Sequence, residues 1–243
     1  MTEELLLFAI LALFSEILGT VSGFGSSVLF VPIASIFFDF HSVLGITALF
    51  HVFSNVSKIF LFNKGIKWDI ILKIGAPAVL FVSLGALFSK FADAGLLETI
   101  LSVFLVVFSL IFLVFRSVQL QPGGINMFLG GSVSGFLAGL VGTGGAIRGM
   151  LLSAFRMEKE LFIATSALID FGVDLSRSVV YTANGFVHVH DLPVILLLLV
   201  ISVIGTLIGK RILVLISEQN FQRIVLLMIF GVGLVTLIRQ VIA

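Results

Sequence analysis

Two apolar stretches of this chain, 5–38 and 125–155, are too long to be single membrane-spanning helices, and each is interrupted by clustered glycines. As straight helices they would measure roughly 45–50 Å, against about 30 Å of bilayer hydrocarbon. The interruptions read Gly19-Thr20-Val21-Ser22-Gly23-Phe24-Gly25-Ser26-Ser27 and Gly139-Leu140-Val141-Gly142-Thr143-Gly144-Gly145. A glycine in a helix interior costs about 1 kcal/mol relative to alanine, so such clusters predict real breaks. Six further stretches, 43–62, 70–88, 96–115, 161–182, 192–209 and 221–241, each approach the length of one span. The runs are continuously apolar and lack the alternation of a membrane barrel. An all-α, polytopic membrane protein is expected. With 59% hydrophobic and only 11% charged residues, a soluble domain is excluded, since that class carries about 25% charge. The chain has no cysteine and a formal net charge of +1, which excludes thiol chemistry and gives no reason to expect a nucleic-acid partner. Its acidic start, Met1 to Glu4, is unlike the basic start of a cleavable signal.

Each long stretch reads either as two half-helices folded back on each other or as one span plus a half-helix. Loop cations discriminate, because they collect on the cytoplasmic side. If both stretches enter and leave on one side, Lys64, Lys67, Arg116, Arg156, Lys159, Lys210 and Arg211 face Lys90 and Arg239 across the membrane. If both cross fully, that bias disappears. The hairpin arrangement is preferred, with six full spans and both termini outside.

The chain also repeats. A shift of 119 residues places Gly23-Phe24-Gly25 on Gly142-Thr143-Gly144, His51 on Asp170, Asn55 on Asp174 and Lys58 on Arg177. A shift of 120 places Gly85 on Gly205, Lys90 on Lys210 and Glu98 on Glu218. Two transmembrane repeats are expected, 1–120 and 121–243, each with a broken segment and three further helices. An odd number of crossings per half inverts one repeat relative to the other, a common plan among secondary transporters.

The rare polar residues form the candidate site. A broken helix exposes the N–H groups that start its second half, and these attract anions. Gly23, Gly25, Gly142, Gly144 and Gly145 would supply backbone donors, and Ser26, Ser27 and Thr143 hydroxyls. Close helix packing is the competing reading of the glycines. Arg148 lies in an apolar segment three residues beyond Gly145. It could grip an oxyanion in bidentate fashion or pair with Asp170 or Asp174. His51, Asn55 and Lys58 share one helix face, as do Asp170, Asp174 and Arg177. Such faces line a bundle interior. Lys58, Arg177 and Asn55 are read as binding residues. Asp170, Asp174, His51 and Glu16 are candidates for proton coupling, with an internal ion-pair network as the alternative. His188-Val189-His190-Asp191 is read as interfacial polarity, and no metal or cofactor is expected. Lys210 and Arg211 are read as lipid-headgroup contacts, and the phenylalanine-rich surfaces as lipid-facing.

These motifs resemble the TauE/SafE sulfite exporter family of anion permeases. The resemblance rests on Gly23-Phe24-Gly25-Ser26-Ser27, followed by Pro32, and on Gly142-Thr143-Gly144-Gly145-Ala146, and it covers nearly the whole chain. Where the family pattern has a third glycine, this chain has Ser or Ala, and the second half lacks the proline. The resemblance implies a small sulfur oxyanion or organosulfonate as substrate. A secondary transporter in a bacterial or archaeal cytoplasmic membrane is therefore expected, working by alternating access, with the anion and membrane lipids as partners and a homodimer as a further possibility. An inside-negative potential, worth about 2.3 kcal/mol per charge per 100 mV, would favour export of an uncoupled anion. Uptake would need a proton. No nucleotide-binding motif or catalytic constellation points to a pump or an enzyme. A channel for a neutral or cationic solute and a non-transporting scaffold are the alternatives.

Overall fold

The structure is a computed structural model and describes residues 2–23, 25–62, 65–114, 123–155, 157–215 and 218–242. It is all-helical among these residues. The order is α1 (Thr2–Ser22), α2 (Ser27–Ala34), α3 (Phe40–Leu61), α4 (Trp68–Ser89, with a π turn at Ile71–Gly75), α5 (Ala94–Val114), α6 (Gly124–Val141), α7 (Gly145–Ser153), α8 (Lys159–Ala183), α9 (Leu192–Leu213) and α10 (Glu218–Ile242). Six helices are long and apolar enough to cross a membrane, and the chain is a multi-pass integral membrane protein.

Both long stretches break where the glycines cluster. Gly23 and Gly25 have φ of 71° and 81°, and Gly142, which ends α6, has φ of 81°. A side chain is strained in that left-handed region, so glycine is what allows the chain to turn there. It then doubles back. Phe8 packs on Phe37 and Phe38 (ring centroids 5.4 and 5.1 Å apart) at the open end of α1 and α2. Gly19 lies against Ser26 near their tip. In the second hairpin Gly130 lies against Leu151, and Gly144 against Ser134.

Contacts between helix ends sort the loops. Lys210 Nζ donates to Leu61 O, and the Lys67 amide donates to Thr165 Oγ1 (3.3 Å), at one end. His41 Nε2 donates to Ser89 O (3.2 Å), and Asn184 Nδ2 to Ala86 O (3.0 Å), at the other. α9 runs in the same direction as α1, with Gly205 on Glu16 and Gly209 on Thr20. α6 runs in the same direction as α4. The α1–α2 hairpin thus opens at the Lys90 end, and the α6–α7 hairpin at the Lys67 end. Lys67, Lys159, Lys210 and Arg211 share one end, and Lys90 and Arg239 the other, the division expected of hairpins. Phe24, Lys64, Arg116 and Arg156 lie outside the described residues.

Three expectations change. Of the two readings of the long stretches, the unequal one matches the helix lengths: the first arms, α1 with 21 residues and α6 with 18, are long enough to cross, while only α2 and α7 are short. The six apolar helices include these two arms. Of the expected six, α8 carries Asp170, Asp174 and Arg177 and falls outside that set, while α10, with 25 residues, is a long helix over the expected stretch 221–241. Phenylalanines also do more than face lipid. Phe60 is 78% exposed, but Phe8, Phe30 and Phe50 are buried and pack the first hairpin against α3. Lys210, read as a headgroup contact, caps the carbonyl end of α3. At the opposite end of α3, burial disfavours ionisation of Asp39. Hydrogen bonds from Ser42 and His41 outweigh that and hold its carboxyl below the ordinary range.

α4 and α6 meet at backbone distance. Gly131, Gly135 and Gly139 recur every four residues and lie on the carbonyls of Ile74, Ala78 and Val82, and a Cβ at Gly135 would sit 2.2 Å from Ala78 O. This is the small-residue packing by which helices associate in lipid. Gly135→Val is expected to force the pair apart and destabilise the protein by about 1–3 kcal/mol, read as a lower Tm in detergent. Gly123→Ala, where a Cβ meets only the end of the Asn126 side chain, should leave Tm unchanged.

Candidate functional site

The two hairpin tips meet inside the bundle. Ser27 Oγ lies 3.2 Å from Thr143 Oγ1, and Gly25 faces Gly145. The tips enter from opposite ends, so the N-termini of α2 and α7 converge. Their unpaired N–H groups carry partial positive charge. A cavity of about 20 Å³ lies between them, lined by residues that include Gly25, Ser26, Ser27, Gly142, Gly144 and Gly145. That is room for about one water molecule. Gly23 and Thr143 stand just outside this wall: Gly23 lines a neighbouring cavity, and Thr143 is fully buried against Ser27.

The rest of the wall comes from α3, α7 and α8. His51, Asn55, Lys58, Arg148, Asp170, Asp174 and Arg177 all line the cavity. The two polar stripes face each other, and Asn55 Nδ2 donates to Asp174 Oδ2 (2.7 Å). These two positions are the ones a 119-residue shift superimposes. The helical spacing thus puts all six stripe residues at one central seam.

The charges are paired. Glu16, fully buried, lies 2.9 Å from Lys58 Nζ. Its Oε1 also accepts from Ser54 (2.6 Å), Thr206 (3.1 Å) and Thr20 (3.3 Å), and its Oε2 from Ser26 (2.7 Å). Arg148 Nε donates to Asp170 Oδ1 (2.5 Å), and Arg177 Nε to Asp174 Oδ1 (2.8 Å). Arg177 Nη1 spans the end of α6, donating to Ala138 O (3.1 Å) and Gly142 O (2.7 Å). It holds the second break in place and has little donor capacity left for a ligand. Arg148 differs. It is 4% exposed, and its Nη1 has no hydrogen-bond partner among the described residues. A buried guanidinium N–H left without an acceptor is costly, and this one belongs to a residue of the cavity wall.

Sequence reasoning missed Ser54, Thr206 and Tyr181. Tyr181 O–H donates to Gly139 O (2.6 Å) and supports the same break as Arg177. Tyr181 is four residues beyond Arg177, so the α8 stripe extended by one turn would have found it. Thr206 reaches Glu16 from 190 residues away, and no local pattern carries that. The His188, His190 and Asp191 side chains do gather, with their ligand atoms within 4.8 Å of one another. They lie at the Lys90 end, away from the cavity.

A second cavity of about 20 Å³ adjoins the first and shares Gly25, Asn55, Lys58 and Asp170 with it. It extends past Gly23 and Ser166 to Phe162, toward the Lys67 end. The Phe162 ring covers Gly23, with Cε1 2.5 Å from where a Cβ would be.

A family model described as sulfite exporter TauE/SafE matches residues 7–236. A probable membrane transporter protein of Methanocaldococcus jannaschii is 28% identical over 246 residues, covering 89% of this chain and 88% of that protein. No solved structure matches.

Removing one member of a buried pair strands the other at a cost of about 3–5 kcal/mol. Glu16→Ala should therefore lower Tm sharply. Glu16→Gln and Lys58→Met should each lower it as well, and the two combined should recover much of the loss. A double variant as unstable as the sum of the singles would show that the pair is not coupled.

Proposed function

The chain belongs to the TauE/SafE sulfite exporter family of membrane transporters, and from that premise we propose that it carries a small anion, sulfite or an organosulfonate, between the two hairpin tips. The unpartnered Nη1 of Arg148 carries this reading: a buried cationic donor in a cavity wall calls for an acceptor that the protein does not supply. The N-termini of α2 and α7, with Ser27 and Thr143 near their meeting point, supply further donors. Lys58 lines the same cavity and, paired with Glu16, is a second countercharge for the anion. Arg177 positions the second break, and Asn55 and Asp174 join the stripes.

The opposed hairpins support a reading of the halves as inverted repeats. α4 packs on α6 through Gly85, and α9 on α1 through Gly205, two glycines that a shift of 120 residues superimposes. In this reading one half rocks against the other around the tips. The cation-rich Lys67 end is cytoplasmic, so the second cavity is the inner approach and Phe162 its plug. Export follows when the anion is abundant inside. The paired state of Asp170 and Asp174 speaks against a cation channel, since neither is a free selecting charge.

The test is sulfite flux in proteoliposomes. A charged hydrogen bond is worth roughly 1.5–3 kcal/mol, so Arg148→Ala should lower affinity by about 10- to 100-fold. Because that change strands Asp170, Arg148→Ala with Asp170→Asn is measured beside it. Unchanged flux in both well-folded variants would remove the anion site.

A further inference from the structure

Three atoms in a row beside the cavity are one hydrogen short. His51 Nδ1 lies 2.8 Å from Thr47 O. A carbonyl only accepts, so Nδ1 carries a hydrogen. His51 Nε2 lies 2.8 Å from Ser26 Oγ, and Ser26 Oγ lies 2.7 Å from Glu16 Oε2. A hydroxyl has a single hydrogen to give. With Glu16 ionised and His51 neutral, that hydrogen serves one contact and leaves the other as two acceptors face to face. One added proton completes the chain in either of two forms. Glu16 can carry it and donate to Ser26, which donates to His51 Nε2. Alternatively His51 carries it and donates to Ser26, which donates to Glu16. The two carboxylates that line the cavity have no such gap. Asp174 takes donors from Arg177 and Asn55 on its two oxygens, and Asp170 from Arg148 and Ser166.

Charge counting points the same way. The groups facing this chain are Glu16 on α1, Lys58 on α3, Arg148 on α7, and Asp170, Asp174 and Arg177 on α8. They form three ion pairs and sum to zero. A monoanion in the cavity would leave one uncompensated charge at the centre of a membrane protein, which is costly. A single proton cancels it. Ser26 and His51 both line the cavity, so the proton site adjoins the anion.

Resting on the transport reading above, we propose that the site loads an anion together with one proton, held by the chain Glu16–Ser26–His51. The transfer balances without any other reactant. As a proton on Glu16 passes inward, the Glu16 O–H bond breaks and Ser26 Oγ gains that hydrogen. The original Ser26 O–H bond then breaks as its hydrogen joins His51 Nε2. One negative and one positive charge cross together, so the membrane potential has no hold on the loaded carrier. Concentration and pH gradients drive it, and net export of the anion exports acid.

The test uses the full chain in proteoliposomes, with the potential clamped by valinomycin and potassium. The probe is radiolabelled methanesulfonate, a monoanion whose charge does not vary with pH. Accumulation is expected to follow an inward proton gradient, about tenfold for each pH unit, and to ignore the clamped potential. Flux that follows the potential and ignores the pH gradient overturns the proposal and leaves anion transport standing. Absence of flux for both methanesulfonate and sulfite overturns the transport reading itself. His51→Gln and Ser26→Ala should lose the pH-driven accumulation, and Ser26→Thr, which keeps the hydroxyl, should retain it. The wild-type measurement is decisive by itself if a variant does not fold.

Discussion

An ion inside a bilayer is tolerated only when another group answers its charge, and the interior of this protein is organised by that requirement. Glu16 is the centre of it. Its two oxygens receive donors from α1, α3, α9 and the start of α2. Four separate pieces of chain are thus held to one buried carboxylate. Lys58 balances its charge and leans on Ser54. The first hairpin therefore stands on an electrostatic foundation as well as on the aromatic packing of Phe8, Phe30 and Phe50. The second hairpin stands on Arg177 and Tyr181, which bind the last carbonyls of α6. Breaking a helix exposes carbonyls and amides together. In the second hairpin the carbonyls are satisfied by side chains, while the amides at the start of α7 face the cavity.

Much of this was legible in the chain. Glycine clusters inside overlong apolar runs located both breaks, because a left-handed turn and a helix interruption are local demands. The stripes at 51, 55, 58 and at 170, 174, 177 were legible because helical periodicity is local too. Asp174 and Arg177, three residues apart on one helix, are placed to pair by spacing alone. Partners across helices were less accessible. Arg148 could have chosen Asp170 or Asp174, and Glu16 could have chosen Lys58 or Arg148, since composition does not say which helices touch. The unequal arms were one of two readings that the sequence left open, for a similar reason: hydropathy marks where a helix breaks but not which side of the break reaches across. The Gly131, Gly135, Gly139 series was present in the sequence and went unused. Its role becomes plain only when the α4 carbonyls lie beneath it.

The location of the ion pairs has an energetic consequence for the seam between the two halves. Glu16 and Lys58 both belong to the first half; Arg148 with Asp170, and Asp174 with Arg177, belong to the second. Among the described residues no buried charge pair crosses from one half to the other. The polar links that do cross are hydrogen bonds, such as Asn55 to Asp174, Ser27 to Thr143 and Thr206 to Glu16. Separating the halves would therefore break hydrogen bonds worth about 1 kcal/mol each, or somewhat more at a charged group, and undo close helix packing, but it would tear apart no ion pair. The ions are thus answered within each half, and what joins the halves is hydrogen bonding together with the close glycine packing of α6 on α4 and of α9 on α1.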